Sequence, residues 1–173
     1  MSELRVGLGV DVHPFLHEPD PSDEGGRGGE VPGSLVLGGV SFAGEPRLSG
    51  HSDADALAHA LADAILGAAG LGDLGSRFPD TDARFRGADS MLLLADCASA
   101  AAAGGWRLVS ADCTVVAERP KIAPSREEMM RRLSGCVGGP VHVKATRPEG
   151  LGSLGRVEGL CCMAVVLLER AGG

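Results

Sequence analysis

The sequence predicts an α+β fold, a single domain built on a mixed β-sheet with helices packed on one face. Three observations carry that prediction. Strand-like and helix-like segments alternate along the chain. The 173 residues are 44% hydrophobic, enough for one real core. No internal repeat or linker divides them, so residues 1–173 read as one unit.

The opening "LRVGLGVDVH" is β-branched and broken by glycines, and reads as a strand that delivers Asp11 and His13 to its end. Residues 17–33, "HEPDPSDEGGRGGEVPG", hold too little apolar surface to order themselves and are expected to be a flexible surface loop. "SLVLGGVSF" has the pattern of a β-hairpin turning at Gly38 and Gly39. A helix is then expected from about Asp53 to Ala69, with Ser52 as N-cap, Asp55 completing a capping-box-like pair, and Leu57, Leu61 and Ile65 facing the core.

The stretch after it, "GLGDLGSRFPDTDARFRGADS", is a glycine- and Asp-rich loop, and Ser90 to Ala103 is an Ala-rich helix ended by Gly104 and Gly105. "WRLVSADCTVVAE" is a strand broken by "RPKIAP". "SREEMMRRLSGCV" is a third helix, capped by Ser125 with Glu128 three residues on. "VHVKAT" and "EGLCCMAVVLLER" complete the strands on either side of the turn-rich "RPEGLGSLGR".

Composition removes some functions. A formal charge of −7 repels a phosphate backbone or an anionic bilayer at long range, so no nucleic acid or membrane partner is expected. Four Phe, one Trp and no Tyr leave little for a base-stacking platform. The five cysteines lack C-x-x-C spacing and fall mostly in apolar runs, which favours buried reduced thiols over a cysteine zinc site. "MSELRVGLGV" lacks the pattern of a secretory leader, and a cytoplasmic location is the default expectation.

Within "SGHSDADALAHALAD", Asp55, His59 and Asp63 recur every four residues and project from one helix edge, where core meets cleft. Alternation along a strand puts Asp11 and His13 on one face. One carboxylate and two imidazoles, Asp11, His13 and His59, form a three-ligand set suited to zinc with an open fourth position. His51 and Ser52 precede the helix, whose N–H groups and dipole favour a bound phosphate. Asp73 and Asp80 of the following loop could reach polar parts of a substrate, although a turn rich in capping Asp reads the same way.

The blocks "VGLGVDVHPF", "SGHSDADALAHALADAILGAAGLGDLGSRFPDTD", "DCTVVAERPKI", "VKAT" and "GRVEG", in this order, resemble the 2-C-methyl-D-erythritol 2,4-cyclodiphosphate synthases of the non-mevalonate isoprenoid pathway over nearly the whole chain. The resemblance implies a homotrimer around a threefold axis with an active site at each subunit boundary. It implies one Zn²⁺ per subunit on Asp11, His13 and His59, and a second ion, Mg²⁺ or Mn²⁺, held with the help of Glu149. The reaction implied closes a ring. The 2-phosphate of 4-diphosphocytidyl-2-C-methyl-D-erythritol 2-phosphate attacks the β-phosphorus of its own diphosphate, and CMP leaves.

By the same resemblance, Asp11, His13, His51 and Ser52 meet the phosphates, with His51 stabilising the transition state. Asp73, Leu74 and Gly75 hold the methylerythritol hydroxyls, and Phe78, Pro79, Asp80, Thr81 and Asp82 line that pocket. Ala117, Pro120, Lys121, Ile122 and Ala123 match a cytidine pocket, and Thr146 and Glu149 match further substrate contacts. Asp63 is expected to support the site as a neighbour of the zinc ligands rather than as a ligand itself. Arg156 and Glu158 match positions near the threefold axis, where an isoprenoid diphosphate could sit in a central cavity or a salt-bridge ring could fix the trimer.

The chain departs from the pattern at "ATRPEG". A Thr common in the family is Arg147, the next position is Pro148, and a Phe common a little later is Ser153. Arg147 is expected to take over the catalytic role of the Thr, since a guanidinium supplies fixed donors and positive charge; the alternative is that it points into solvent. Two competing readings stay open. One is a catalytically weakened trimer that binds isoprenoid diphosphates or a partner enzyme. The other is a simple metallophosphoesterase that uses water as nucleophile.

Overall fold

A computed structural model describes residues 2–16, 34–50, 52–79, 81–85 and 87–170. The expected loop at 17–33 and the expected site residues His51 and Asp80 lie outside the described residues.

Strand β1 (Glu3–Pro14) is followed by the hairpin strands β2 (Ser34–Leu37) and β3 (Val40–Ala43), then helices α1 (Ala56–Ala69), α2 (Leu74–Arg77) and α3 (Ser90–Ala103). Strand β4 (Arg107–Val116), helix α4 (Arg126–Val137), strand β5 (Val141–Thr146), the short helix α5 (Gly152–Gly155) and strand β6 (Gly159–Arg170) complete the order. The main sheet runs β1-β6-β4-β5. β4 and β5 are parallel and the other pairs antiparallel, so the sheet is mixed as expected. Helix α1 lies on β1 and β6, α3 on α1, and α4 on α3 and β5, all against one face of the sheet.

The other face is bare. Leu4, Val6, Leu8, Val10 and Val12 of β1, with Met163 and Val165 of β6, line it with apolar side chains, Val6 being 69% exposed. Strict period-2 alternation on β1 produces this strip, because the residues between them point toward α1.

Those inward residues include Gly7 and Gly9, and they decide how close α1 comes. A methyl built on Gly9 would run into the Ala60 carbonyl oxygen and lie 2.7 Å from the Ala64 amide nitrogen; one on Gly7 would strike the Ala64 carbonyl. Four helix residues advance about 6 Å and two strand residues about 6.7 Å. The Gly7/Ala64 and Gly9/Ala60 contacts therefore continue toward Asp11, which brings the next residues of α1, His59 among them, over Asp11 and His13.

The start of α1 differs from expectation. The helix begins at Ala56, and its N-cap is Asp55 rather than Ser52. Asp55 is completely buried: its Oδ1 accepts from the amides of Leu57, Ala58 and Gly38, and its Oδ2 from Gly39. The hairpin turn at Gly38 and Gly39 sits on this carboxylate, with both glycines at positive φ. Sequence spacing put Asp55 on a helix edge, whereas two elements competing for one acceptor pulled it under the turn.

Helix α3 runs over the expected residues, capped by Asp89. Helix α4 follows Ser125, whose side chain makes no capping bond; Glu128 instead pairs with Arg131 and Arg132. Among the described residues no helix is long and apolar enough to cross a membrane.

Candidate metal centre and substrate clefts

Asp11, His13 and His59 converge, each offering a ligand atom within 4.8 Å of the others. His13 Nδ1 stands 3.0 Å from Asp11 Oδ1 and His59 Nδ1 3.1 Å from Asp11 Oδ2, with the two rings 5.7 Å apart and tilted by 50°. Burial pushes the Asp11 carboxyl up, but the two imidazoles beside it outweigh this and hold it at about 2. His13 Nδ1 is buried and makes no directed hydrogen bond.

An orphaned ring nitrogen aimed at a carboxylate and a second imidazole is what a cation site lacks when only protein atoms are present. One oxygen and two nitrogen donors suit a borderline divalent ion. The residues therefore fit the expected metal. Gly50 makes room for this: a methyl there would lie 2.8 Å from Ala54 Cβ and 3.2 Å from His13 Nε2.

Two clefts meet at His59. One, of ≈ 300 Å³, is walled by Asp11, His59, Asp63, Asp73, Leu74 and Gly75. The other is lined by Ser52, His59, Leu74, Gly75 and Phe78 with Phe85 and Leu93. The structure thus brings Ser52, Asp73, Leu74, Gly75 and Phe78 together around the triad. Pro79, Thr81 and Asp82 follow Phe78 on the surface side, Asp82 being paired with Arg84.

Two expectations need correction. The first amides of α1 are taken by Asp55, so the helix start is not an open anion site. Asp63 accepts from the Leu74 amide at 2.8 Å: it fixes the Asp73–Gly75 loop and not a zinc ligand. His59 is instead braced by Ser90 and Ser52, whose hydroxyls lie 2.8 and 3.2 Å from its Nε2.

A third cleft, of ≈ 370 Å³, is bounded by Ala117, Pro120, Lys121, Ile122, Ala123 and Thr146, with Glu118 and Arg147 at its edge. The expected cytidine residues are therefore gathered, but far from the triad. Asp11 pairs across to Cys162, Cys162 to Val115 and Val115 to Ala145, so triad and cleft stand level on opposite edges of a four-stranded sheet. Three strand spacings separate them by about 14 Å.

Glu149 lies with this distant edge, in the exposed turn after β5, and does not join the triad within one chain. Arg147 is 68% exposed, and its Nε donates to Glu118 Oε2 at 3.0 Å while Glu118 Oε1 accepts from the Gly150 amide. It is neither free in solvent nor placed against the triad of its own chain. Arg156 pairs with Glu158 at 2.7 Å, beside the end of β1 where Phe15 donates to the Glu158 carbonyl.

The family model of the YgbB family matches residues 4–169. The chain belongs to that family. A 2-C-methyl-D-erythritol 2,4-cyclodiphosphate synthase from Rubrobacter xylanophilus is 51% identical over 176 residues, covering 100% of this chain and 99% of the relative. A bifunctional enzyme IspD/IspF from Anaeromyxobacter dehalogenans is 52% identical over 98% of this chain, which spans only 41% of that relative. Among solved structures, the CDP complex of IspF from Plasmodium falciparum superposes with a TM-score of 0.78 at 27% identity, over 98% of this chain and 97% of the other. The likeness to cyclodiphosphate synthases read from the sequence blocks thus extends along the whole YgbB-family chain.

Proposed function

We propose that this chain converts 4-diphosphocytidyl-2-C-methyl-D-erythritol 2-phosphate to 2-C-methyl-D-erythritol 2,4-cyclodiphosphate with release of CMP. It acts in the cytoplasm as a lyase-class enzyme of the non-mevalonate route to isoprenoids. The single observation that carries this reading is the Asp11–His13–His59 triad opening onto the Asp73–Gly75 cleft in a chain of this family.

Ring closure presses two anionic groups together in line, so the barrier is one of positioning and charge. Asp11, His13 and His59 would hold Zn²⁺, which when bound neutralises and orients phosphoryl oxygens. The Ser52 hydroxyl, beside His59, donates to a phosphate oxygen. Asp73 and the Leu74 and Gly75 backbone, anchored through Asp63, hold the methylerythritol hydroxyls. The cleft from Ala117 to Ala123, with Thr146, takes the cytidine.

Opposite-edge placement favours a site completed between chains. The triad of one copy meets the cytidine cleft, Arg147 and Glu149 of a neighbour, with Mg²⁺ or Mn²⁺ bound near Glu149. The bare apolar strip on β1 and β6 supports a homotrimer, since a soluble monomer rarely leaves such a face to water. Packing three strips around an axis makes an apolar cavity, and the Arg156–Glu158 pair at its end could receive an isoprenoid diphosphate.

Incubation of the protein with the cytidyl substrate and Mg²⁺, followed by phosphorus NMR, tests the reading. A cyclic diphosphate and CMP are expected, and chelator should abolish both. A ring-free monophosphate would replace cyclisation by hydrolysis.

A further inference from the structure

The groups behind His59 form a chain that neither the triad nor the clefts require. Ser90 is 1% exposed, one of two fully buried polar residues among those described, the other being Asp55. Its hydroxyl donates to Asp53 Oδ1, and its amide donates to Asp53 Oδ2 at 3.3 Å. The same Oγ lies 2.8 Å from His59 Nε2 and 3.2 Å from Ser52 Oγ.

A hydroxyl has one hydrogen and two lone pairs, and a carboxylate only accepts. With its hydrogen committed to Asp53, Ser90 can only accept from the imidazole. A neutral His59 then carries its proton on Nε2, and its Nδ1, 3.1 Å from Asp11 Oδ2, is the atom left to offer a lone pair to a cation at the centre of the triad. Ser52, which accepts from the Ala54 amide, can donate to the second lone pair of Ser90 or turn to a phosphate.

We propose that Asp53 and Ser90 are positioning residues for the metal: a hydroxyl-bridged carboxylate that orients His59 and fixes Nδ1 as the atom offered to the cation. The arrangement resembles the carboxylate–histidine–metal pairs of many metalloproteins with one hydroxyl interposed. It also links three segments, because Asp53 precedes α1, His59 lies within it and Ser90 opens α3. The residue that starts α3 thereby sets the ring that α1 presents. This rests on the reading of the triad as a cation site.

The test uses Zn²⁺ alone, with affinity measured by chelator competition and the His59 ring followed by nitrogen-15 NMR. In the parent protein with Zn²⁺, the proton is expected on Nε2. Ser90→Ala should weaken Zn²⁺ about 10- to 100-fold. Asp53→Ala should do likewise even though Ser90 is intact, because its hydroxyl is then free to donate to Nε2 and favour the opposite tautomer. Asp53→Asn, which keeps an acceptor, should restore most of the affinity and the parent ring signal.

A merely structural role would not separate Asp53→Ala from Asp53→Asn. If Ser90→Ala fails to fold, the Asp53 pair decides. Parent-like affinity and ring signal in Asp53→Ala would overturn the proposal while leaving the triad intact. A parent protein that takes no Zn²⁺ would overturn the cation reading and this proposal together. Turnover is measured separately, so loss of activity alone does neither.

Discussion

Gly9 of β1 and Ala60 of α1 touch backbone to backbone, with no room for even one carbon between them. This contact sets the helix at the height from which His59 reaches Asp11. Gly9→Ala is expected to push α1 outward and destabilise the fold by about 3 kcal/mol, since the obstacle is backbone and cannot rotate away. Zinc affinity should fall in the same variant. Thermal unfolding and chelator competition check the two effects, and a parent-like melt would refute the register argument.

Asp55 joins the hairpin turn to the start of α1 through four backbone amides. Burial pushes its carboxyl up against those bonds, so the group is structural rather than a free charge. Asp55→Ala strands buried donors in both elements and should cost about 3 kcal/mol or more. Denaturant unfolding measures it. A loss of only a few tenths would mean the amides find other partners.

Arg147 and Glu118 offer a test of the distant edge. Arg147→Ala is expected to lower the rate of CMP release by about 100-fold with zinc content unchanged, as for removal of one transition-state donor. Steady-state kinetics with metal analysis separates this from damage to the triad. An unchanged rate would retire the catalytic role and leave the pair as a clasp on the 147–150 turn.

Thiol chemistry follows from burial. The Cys97 and Cys113 thiols are pushed up to about 12 by desolvation, and Cys162 is also pushed well up. A raised pKa means less thiolate at a given pH, so these three should resist iodoacetamide at pH 8 in the native state and react after denaturation. Mass spectrometry of the alkylated chain reads this directly; rapid native labelling of Cys97 would contradict the packing of α3.

Much of this was legible in the residues. The β-branched opening announced β1, the Gly38–Gly39 turn announced its hairpin, and the period of α1 together with D-x-H spacing and strand alternation pointed to the triad. What the sequence hid depended on contacts between elements. Asp55 looked like a helix-edge residue because nothing local reveals that a hairpin turn will settle on it. Asp63 looked like a brace for zinc because the Leu74 amide that claims it comes eleven positions later. Ser90 passed as an ordinary first residue of α3 and Asp53 as part of α1, and only their meeting behind His59 gives either a role. Gly7 and Gly9 read as strand breakers, whereas they are the reason the strand and helix can touch.

In the proposed assembly, the level but opposite placement of the triad and the Ala117–Ala123 cleft makes the two halves of the chemistry separable by inheritance. A chain carrying His59→Ala and a chain carrying Arg147→Ala, each nearly inactive alone, are expected to regain turnover when unfolded together and reassembled, because some boundaries then pair an intact triad with an intact cleft. Such rescue between two defective copies would make the assembly, and not the polypeptide, the smallest catalytic unit.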